Sequence, residues 1–310
     1  MLSVSVVGGG SVGSLLVYSL NRSSVRPVLV FKRDNIIDKI SIESKSGDRI
    51  SLDYTPALYD EFEKWINSDI ILIATKAYDA EYIIDDLRLR LPRDRPSLIV
   101  FSQNGLKIFE KASDLIGRDR VAQLILNHGV YRVSRDLYKW IGGGRSFIGM
   151  SREYQNSYLS LARDMLRELM VDLVEDIEPY RWLKLAVNAV INPITALLGE
   201  KNRIVIENRF IRDILAREIC GEILETAKRY NITLPKDPYE EVLRVARDTS
   251  DNYSSMLSDV IRCKRTEIDY INGAVVEYSV KRGFKPIYNQ VLYYMVKARE
   301  EICLERKDPP

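Results

Sequence analysis

A glycine run set between the first apolar strand and the first helix constrains this chain more than any other feature. LSVSVV (2–7) is a continuous apolar run suited to burial on both faces of a sheet, and it passes directly into GGGSVGSLL, where Gly8, Gly10 and Gly13 form G-x-G-x-x-G. Glycine at these places permits a tight turn, close approach of backbone to a phosphate and packing of helix on strand, while the helix N-terminus faces negative charge. A bare βα turn is the plainer reading of such a motif. Its position in a first βαβ unit of the right length favours a dinucleotide site made from Gly8, Gly9, Gly10, Ser11, Val12 and Gly13.

The rest of the first half repeats the pattern. VLVF (28–31), IILIAT (70–75), SLIVF (97–101) and QLILN (123–127) are further apolar strands, with amphipathic helices between most of them. That alternation predicts a doubly wound α/β domain. KISIESKSGDRISLDY (39–54) reads as an inserted hairpin turning at Ser46, Gly47 and Asp48, and a second two-stranded piece is expected to turn at Gly142, Gly143 and Gly144. From about residue 178 the period changes to that of helices, in WLKLAVNAVINPITALL, IRDILAREICGEILETAKRY, YEEVLRVARD and EIDYINGAVVEYSVKRG. The expected architecture is therefore α/β: a Rossmann-type sheet domain over 1–177, then an all-helical domain over 178–310, the two packed around a cleft.

Composition narrows the partners. Lysine and arginine number 46 against 44 acidic residues, and the basic ones are scattered, so no nucleic-acid footprint is present. Three cysteines (Cys220, Cys263, Cys303) without a CxxC, together with a single histidine, argue against a disulfide framework or a zinc site, and the cysteines read as packing residues. His128 ends the strand QLILN with no nucleophile or carboxylate pattern around it. No basic leader and no 18-residue apolar run occur, which leads us to expect a cytoplasmic protein with a small-molecule partner and no membrane span.

The strand ends select the ligand. VLVF delivers Lys32 and Arg33 before Asp34 is reached; cations there suit the 2′-phosphate of NADP, although Asp34 leaves NAD open. IILIAT ends in Thr75 and Lys76, and SLIVFS in Gln103, Asn104 and Gly105. In open α/β sheets ligands sit outside the carboxyl ends of the strands, so Thr75, Lys76 and Asn104 are candidate contacts at the edge that carries the glycine loop. Singly, each is as well explained as a turn residue or helix cap.

Lys184, Asn188 and Asn192 recur at intervals of four in the otherwise aliphatic KLAVNAVINPITAL, so they line one stripe of a helix that is apolar elsewhere. Burying such groups without partners costs roughly 1–3 kcal/mol each, and more for the charge. The stripe must face either a structural polar network or a site. Pro193 favours a site boundary, because it disfavours helical geometry at Asn192, suggests a kink and frees the carbonyl of Ala189. In SSMLSDVIRCKRTEIDYING, Ser254, Ser255, Glu267, Asp269 and Asn272 punctuate apolar positions, and Glu267 is the expected partner of Lys184. Ser255 and Glu267 would lie about 120° apart on one straight helix, so a shared ligand requires a break near Cys263, Lys264 and Arg265.

These residues add up to a resemblance. W-x-KL-x-x-N-x-x-INP-x-TAL (Trp182 to Leu197), SSML-x-D (Ser254 to Asp259) and TEIDYING (Thr266 to Gly273), behind an N-terminal GxGxxG, resemble the ketopantoate reductases, also called 2-dehydropantoate 2-reductases. The resemblance implies an NADPH-dependent reductase of pantothenate and coenzyme A synthesis, with a helical domain of the 6-phosphogluconate dehydrogenase type and a homodimer. It makes Lys184 the general acid and Glu267 the anchor of the substrate hydroxyl. Asn188, Asn192 and Ser255 would hold carboxylate and hydroxyl, Asn104 and Lys76 would take cofactor and active-site positions, and Arg33 would meet the 2′-phosphate. The chemistry agrees: ketone reduction builds negative charge on oxygen, which an ammonium both stabilises and protonates. At a pKa of about 10.4 a lysine would be a sluggish acid. Burial lowers that value and Glu267 would raise it, a balance the sequence leaves open. A reductase of another branched 2-oxo acid and a non-catalytic NADP-binding sensor are the competing readings.

Overall fold

Runs of valine, isoleucine and leucine with no polar alternation become the buried parallel strands of one unit, while 3.6-residue periods become the helices of another. The computed structural model describes residues 2–32, 36–92 and 97–305, and the chain divides into Met1–Gln103 with Ile108–Ile177, and Asn104–Lys107 with Glu178–Pro310.

In the first unit the chain runs through β1 (Val4–Val7), α1 (Ser11–Arg22), β2 (Val28–Phe31), β3 (Ser41–Glu43), β4 (Arg49–Ser51), β5 (Thr55–Leu58), β6 (Ile70–Ile73) and α2 (Ala77–Arg90). It continues with β7 (Leu98–Phe101), α3 (Ile108–Ile116), β8 (Val121–Ile125), β9 (His128–Arg132), β10 (Leu137–Gly143), β11 (Ser146–Gly149), α4 (Leu159–Met165) and β12 (Val171–Leu173). Eight strands form the main sheet in the order β12-β11-β8-β7-β6-β1-β2-β5. All neighbouring pairs from β5 to β8 are parallel, and β11 joins β8 antiparallel. After β1 the chain moves outward through β2 and β5, then returns to β6 on the other side of β1. That reversal is the switch point at which open α/β sheets bind ligands. β5 contains Pro56, which lacks a ladder donor and is tolerated because β5 is an edge strand.

β3 and β4 form the expected hairpin, with Gly47 at a φ of +90° in its turn. They belong to a second, four-stranded sheet in the order β4-β3-β10-β9. This sheet corrects the expectation at Gly142, Gly143 and Gly144. β10 pairs with β9 and β3, whereas β11 pairs with β8 and β12 in the main sheet, so Gly142 and Gly143 end β10 against β9 and Gly144 leads the chain into the other sheet rather than turning a hairpin. Gly143 has no room for a side chain there: a Cβ would stand 2.2 Å from the Asn127 carbonyl oxygen.

The second unit contains α5 (Glu178–Leu198), α6 (Ile204–Glu207), α7 (Ala216–Arg229), α8 (Pro238–Asp248), α9 (Ser255–Ile261), α10 (Asn272–Lys281) and α11 (Ile287–Glu305). α5 is its axis, and Leu185, Ala186, Val187, Ala189, Val190 and Ile191 are all in the core. Asp237 starts α8 by accepting the Glu240 N–H at 3.0 Å, with Pro238 at the first helical position. Two segments interrupt the helical periods. Ile211–Leu215 is a π-helical stretch ahead of α7. After α9 the chain breaks at Arg262, with Cys263 at a φ of +46°, and resumes as the 3₁₀ turn Ile268–Tyr270.

The cysteine reading needs correction as well. Cys263 and Cys303 form a disulfide with a Cα–Cα distance of 5.4 Å across a sequence separation of 40, and only Cys220 is a buried packing residue. The break after α9 meets the far end of α11, a proximity with no local spacing to announce it. On a loop-entropy account, closing a loop of that length is worth about 4 kcal/mol.

Candidate active site

The glycine turn between β1 and α1 is shaped by close approach. Gly8 has a φ of +115°, and a Cβ there would sit 3.0 Å from the Ala74 backbone. A Cβ on Gly13 would stand 1.8 Å from the Gly8 carbonyl oxygen, so only glycine lets α1 pack this tightly on the turn. Gly10, by contrast, faces open space. It is the N-cap residue of α1 and caps nothing with a side chain, so the N–H groups of the first turn, at Ser11 and Val12, stay available to an anion. The Tyr138 hydroxyl, carried in from β10, donates to the Gly9 carbonyl at 2.9 Å and fixes the turn from the other sheet. Beyond β6, Thr75 adjoins the turn, its methyl 3.0 Å from the place of a Gly8 Cβ, and its buried hydroxyl oxygen has no hydrogen-bond partner among the described residues. Lys76 occupies the N-cap position of α2 without capping it through its side chain. Lys32 follows β2, largely exposed, 4.0 Å from Asp79; Arg33 and Asp34 lie outside the described residues. This cradle fits a dinucleotide: room for backbone contact, a free helix N-terminus, an orphan hydroxyl and a cation at the tip of β2.

The second cluster lies wholly in the helical unit. α5 presents Lys184, Asn188 and Asn192 on one stripe; both asparagines are buried and Lys184 is partly so. Burial pushes the Lys184 ammonium from 10.5 down to about 8, with the Glu241 carboxylate opposing the shift and the Arg244 guanidinium adding to it. Asn188 Nδ2 donates to Asn104 Oδ1 at 3.2 Å, and Asn104 Nδ2 donates to Glu267 Oε2 at 3.3 Å. Asn104 thus joins the stripe to a buried carboxylate. It is held by its neighbours: Gly105, at a φ of +85°, lies so close to Tyr270 that a Cβ would fall 2.0 Å from its carbonyl oxygen. Leu106 N–H donates to that oxygen at 2.9 Å, and Lys107 pairs with Glu277 at 2.7 Å.

The other expected residues differ in what they touch. Ser254 is a buried cap, accepting the Leu257 N–H at 3.1 Å and the Thr195 hydroxyl at 2.6 Å. Ser255 is exposed on the first turn of α9. Asp269 is engaged by Arg265 at 3.1 Å, the Tyr293 hydroxyl at 3.0 Å and Lys297 at 3.4 Å, a structural carboxylate. The expected Lys184–Glu267 pair is not formed. Among the described residues the carboxylate that holds the lysine pKa up is Glu241 of α8, because α8 packs along α5, whereas Glu267 is turned to Asn104. His128 opens β9 instead of ending β8; its Nδ1 accepts from Trp140 Nε1 at 3.2 Å and its Nε2 meets the Leu169 carbonyl at 3.0 Å, which ties the ring into the sheet unit. Sequence reasoning missed Tyr138 altogether and gave Asn272 no role; nothing in the local pattern joins either residue to what it holds.

Comparison with known proteins identifies the family. The family profile described as ketopantoate reductase PanE/ApbA matches residues 4–153, and that of the ketopantoate reductase PanE/ApbA C terminal matches residues 176–300. A 2-dehydropantoate 2-reductase of Pyrobaculum aerophilum is 37% identical over 302 residues, covering 96% of this chain and 98% of its own. In fold, the chain superimposes on D-mandelate dehydrogenase bound to NADH and anilino(oxo)acetate with a TM-score of 0.85 at 20% identity, covering 98% of this chain and all of that one. A dimeric ketopantoate reductase from Staphylococcus aureus gives a TM-score of 0.76 at 21% identity, covering 97% and 100%. With both family profiles matched in succession and a relative of this identity along nearly the whole length, the chain belongs to the ketopantoate reductase family.

Proposed function

We propose that this chain reduces 2-dehydropantoate to (R)-pantoate with NADPH, a step of pantothenate and coenzyme A synthesis. The observation that carries the reading is Lys184, an ammonium whose pKa burial has brought to about 8, on the stripe it shares with the Asn188–Asn104–Glu267 chain. NADPH, when bound, supplies a hydride to the carbonyl carbon of the oxo acid. Lys184 Nζ holds the proton that passes to the carbonyl oxygen, and near neutral pH it is charged yet acidic enough to release it. Its charge stabilises the oxyanion before the proton moves. Glu267, fixed by Asn104, accepts the substrate's 4-hydroxyl; Asn188, Asn192 and Ser255 take its carboxylate and remaining polar atoms. The glycine turn, Thr75 and Lys76 hold the dinucleotide, and Lys32 with Arg33 takes the 2′-phosphate.

The chain pairs with a second copy of itself. α11 supports this with an exposed apolar stripe, Ile287, Val291, Tyr294, Met295 and Ile302, and the Staphylococcus aureus relative is dimeric. The protein acts in the cytoplasm on small molecules, not on membranes or nucleic acids. Among the described residues no helix is long and apolar enough to cross a membrane.

The test is turnover of NADPH with 2-dehydropantoate beside 2-oxo acids that lack its 4-hydroxyl, with NADH as the second cofactor. The proposal expects NADPH and the hydroxylated acid to be preferred, by about 10-fold or more for a hydroxyl met by a buried polar group. Equal turnover with and without the hydroxyl would remove the role given to Glu267 and point to another 2-oxo acid.

A further inference from the structure

α5 runs unbroken from Glu178 to Leu198 although Pro193 stands inside it. Proline has no N–H, so the carbonyl four residues earlier loses its helical donor. That carbonyl belongs to Ala189, between Asn188 and Asn192 of the polar stripe. It is not left unpaired: Asn272 Nδ2 donates to the Ala189 oxygen at 3.0 Å, from a residue with no exposed surface. The same nitrogen donates its other hydrogen to Asn289 Oδ1 at 3.0 Å. Asn289 is anchored in turn, its Nδ2 meeting Glu222 Oε2 at 2.8 Å, while Glu222 also accepts the N–H groups of Tyr288 and Asn289 at 2.8 and 2.9 Å at the start of α11. Asn272 Oδ1, equally buried, has no hydrogen-bond partner among the described residues, so the amide is held by its two donors.

We infer that Asn272 is a positioning residue for the oxo-acid site, supplying from outside α5 the hydrogen bond that Pro193 removes. Asn272 lies five residues after Glu267, so one buried amide ties the segment that carries the carboxylate to the helix that carries Lys184, Asn188 and Asn192. The proline frees an acceptor at the middle of the stripe, and the asparagine uses it as a fixed peg. Without that bond, α5 is free to shift at Asn188 and Asn192, which weakens the hold on substrate more than it disturbs the lysine one turn earlier.

The inference rests on the reaction proposed above and predicts a specific rescue. Four proteins are compared: wild type, Asn272→Ala, Pro193→Ala and the double variant. For each, kcat and KM are measured with NADPH and 2-dehydropantoate, and NADPH affinity is measured separately by fluorescence. Asn272→Ala should raise KM roughly 10-fold while kcat stays within about 3-fold, the scale of a small misplacement of binding groups. NADPH affinity should not change. Pro193→Ala alone should behave as wild type, since a carbonyl oxygen accommodates two donors. The double variant, with a peptide N–H restored at residue 193, should recover a KM within about 3-fold of wild type. A purely structural asparagine would give no such rescue. A wild-type KM in Asn272→Ala, or a double variant no better than the single one, overturns the inference. If Asn272→Ala fails to fold, Asn272→Leu keeps the volume, removes the donor without burying a charge and runs the same cycle. A wild-type protein that binds NADPH yet leaves 2-dehydropantoate untouched overturns the reaction itself, and this inference with it.

Discussion

The glycine turn after β1 and the polar stripe on α5 are solutions to one problem, presenting polar groups where burial makes them costly, and they differ in what they are made of. In the turn the polar groups are backbone N–H groups, which every chain carries, and the sequence only has to leave out side chains that would block them. A Cβ at Gly13 would lie 1.8 Å from the Gly8 carbonyl oxygen, whereas one at Gly10 would meet nothing. On α5 the polar groups are side chains. They are placed by others: Asn188 by Asn104, which Glu267 holds in turn, while Asn272 pins the backbone carbonyl of Ala189 between the two asparagines. A site defined by shape fails at one clash, whereas a site defined by partners degrades bond by bond.

Two substitutions separate these modes. Gly13→Ala should have the larger effect, because the methyl must displace backbone rather than a flexible side chain: NADPH affinity should fall by at least ~100-fold, measured by fluorescence titration, the scale of a site moved about 1 Å. Affinity within a few-fold of wild type would mean that α1 can shift at little cost, breaking the comparison. Asn104→Ala should do less. It removes the amide between Asn188 and Glu267 and leaves each with one polar atom to satisfy, so KM for the oxo acid should rise roughly 10-fold, the cost of one buried hydrogen bond. NADPH affinity should hold. A 100-fold fall in kcat instead would place Asn104 in the chemistry.

The same difference explains what was legible in the sequence. Glycine spacing is local, so GxGxxG placed the turn correctly, and continuous apolar runs placed β1, β2, β6, β7 and β8. The edge strands β5 and β12 are short, and neither TPAL nor VDL has a period to read. Residues 128–149 were misread because pairing decides their structure: the glycines at 142–144 look like a hairpin turn until β10 finds β3 as its neighbour. In the helical unit, intervals of four were enough to pick out Lys184, Asn188 and Asn192. Which residues would meet that helix was not legible: Asn104 was singled out for its strand end, and Asn104, Glu241 and Asn272 come from three separate segments brought together by folding. The disulfide escaped notice for the same reason, as Cys263 and Cys303 stand 40 residues apart with no spacing rule between them.

If the partly buried Lys184, not the sheet domain, carries the chemistry, the most direct test compares wild type with Lys184→Ala in NADPH oxidation by 2-dehydropantoate across pH. Since the group must be protonated to act, and its pKa is about 8, wild-type kcat/KM should fall as pH rises through that value. In the variant turnover should drop ~10²–10⁴-fold, as loss of a positioned acid does, and the fall near pH 8 should vanish while NADPH still binds. Turnover within a few-fold of wild type, or an unchanged pH profile in Lys184→Ala, would contradict the account.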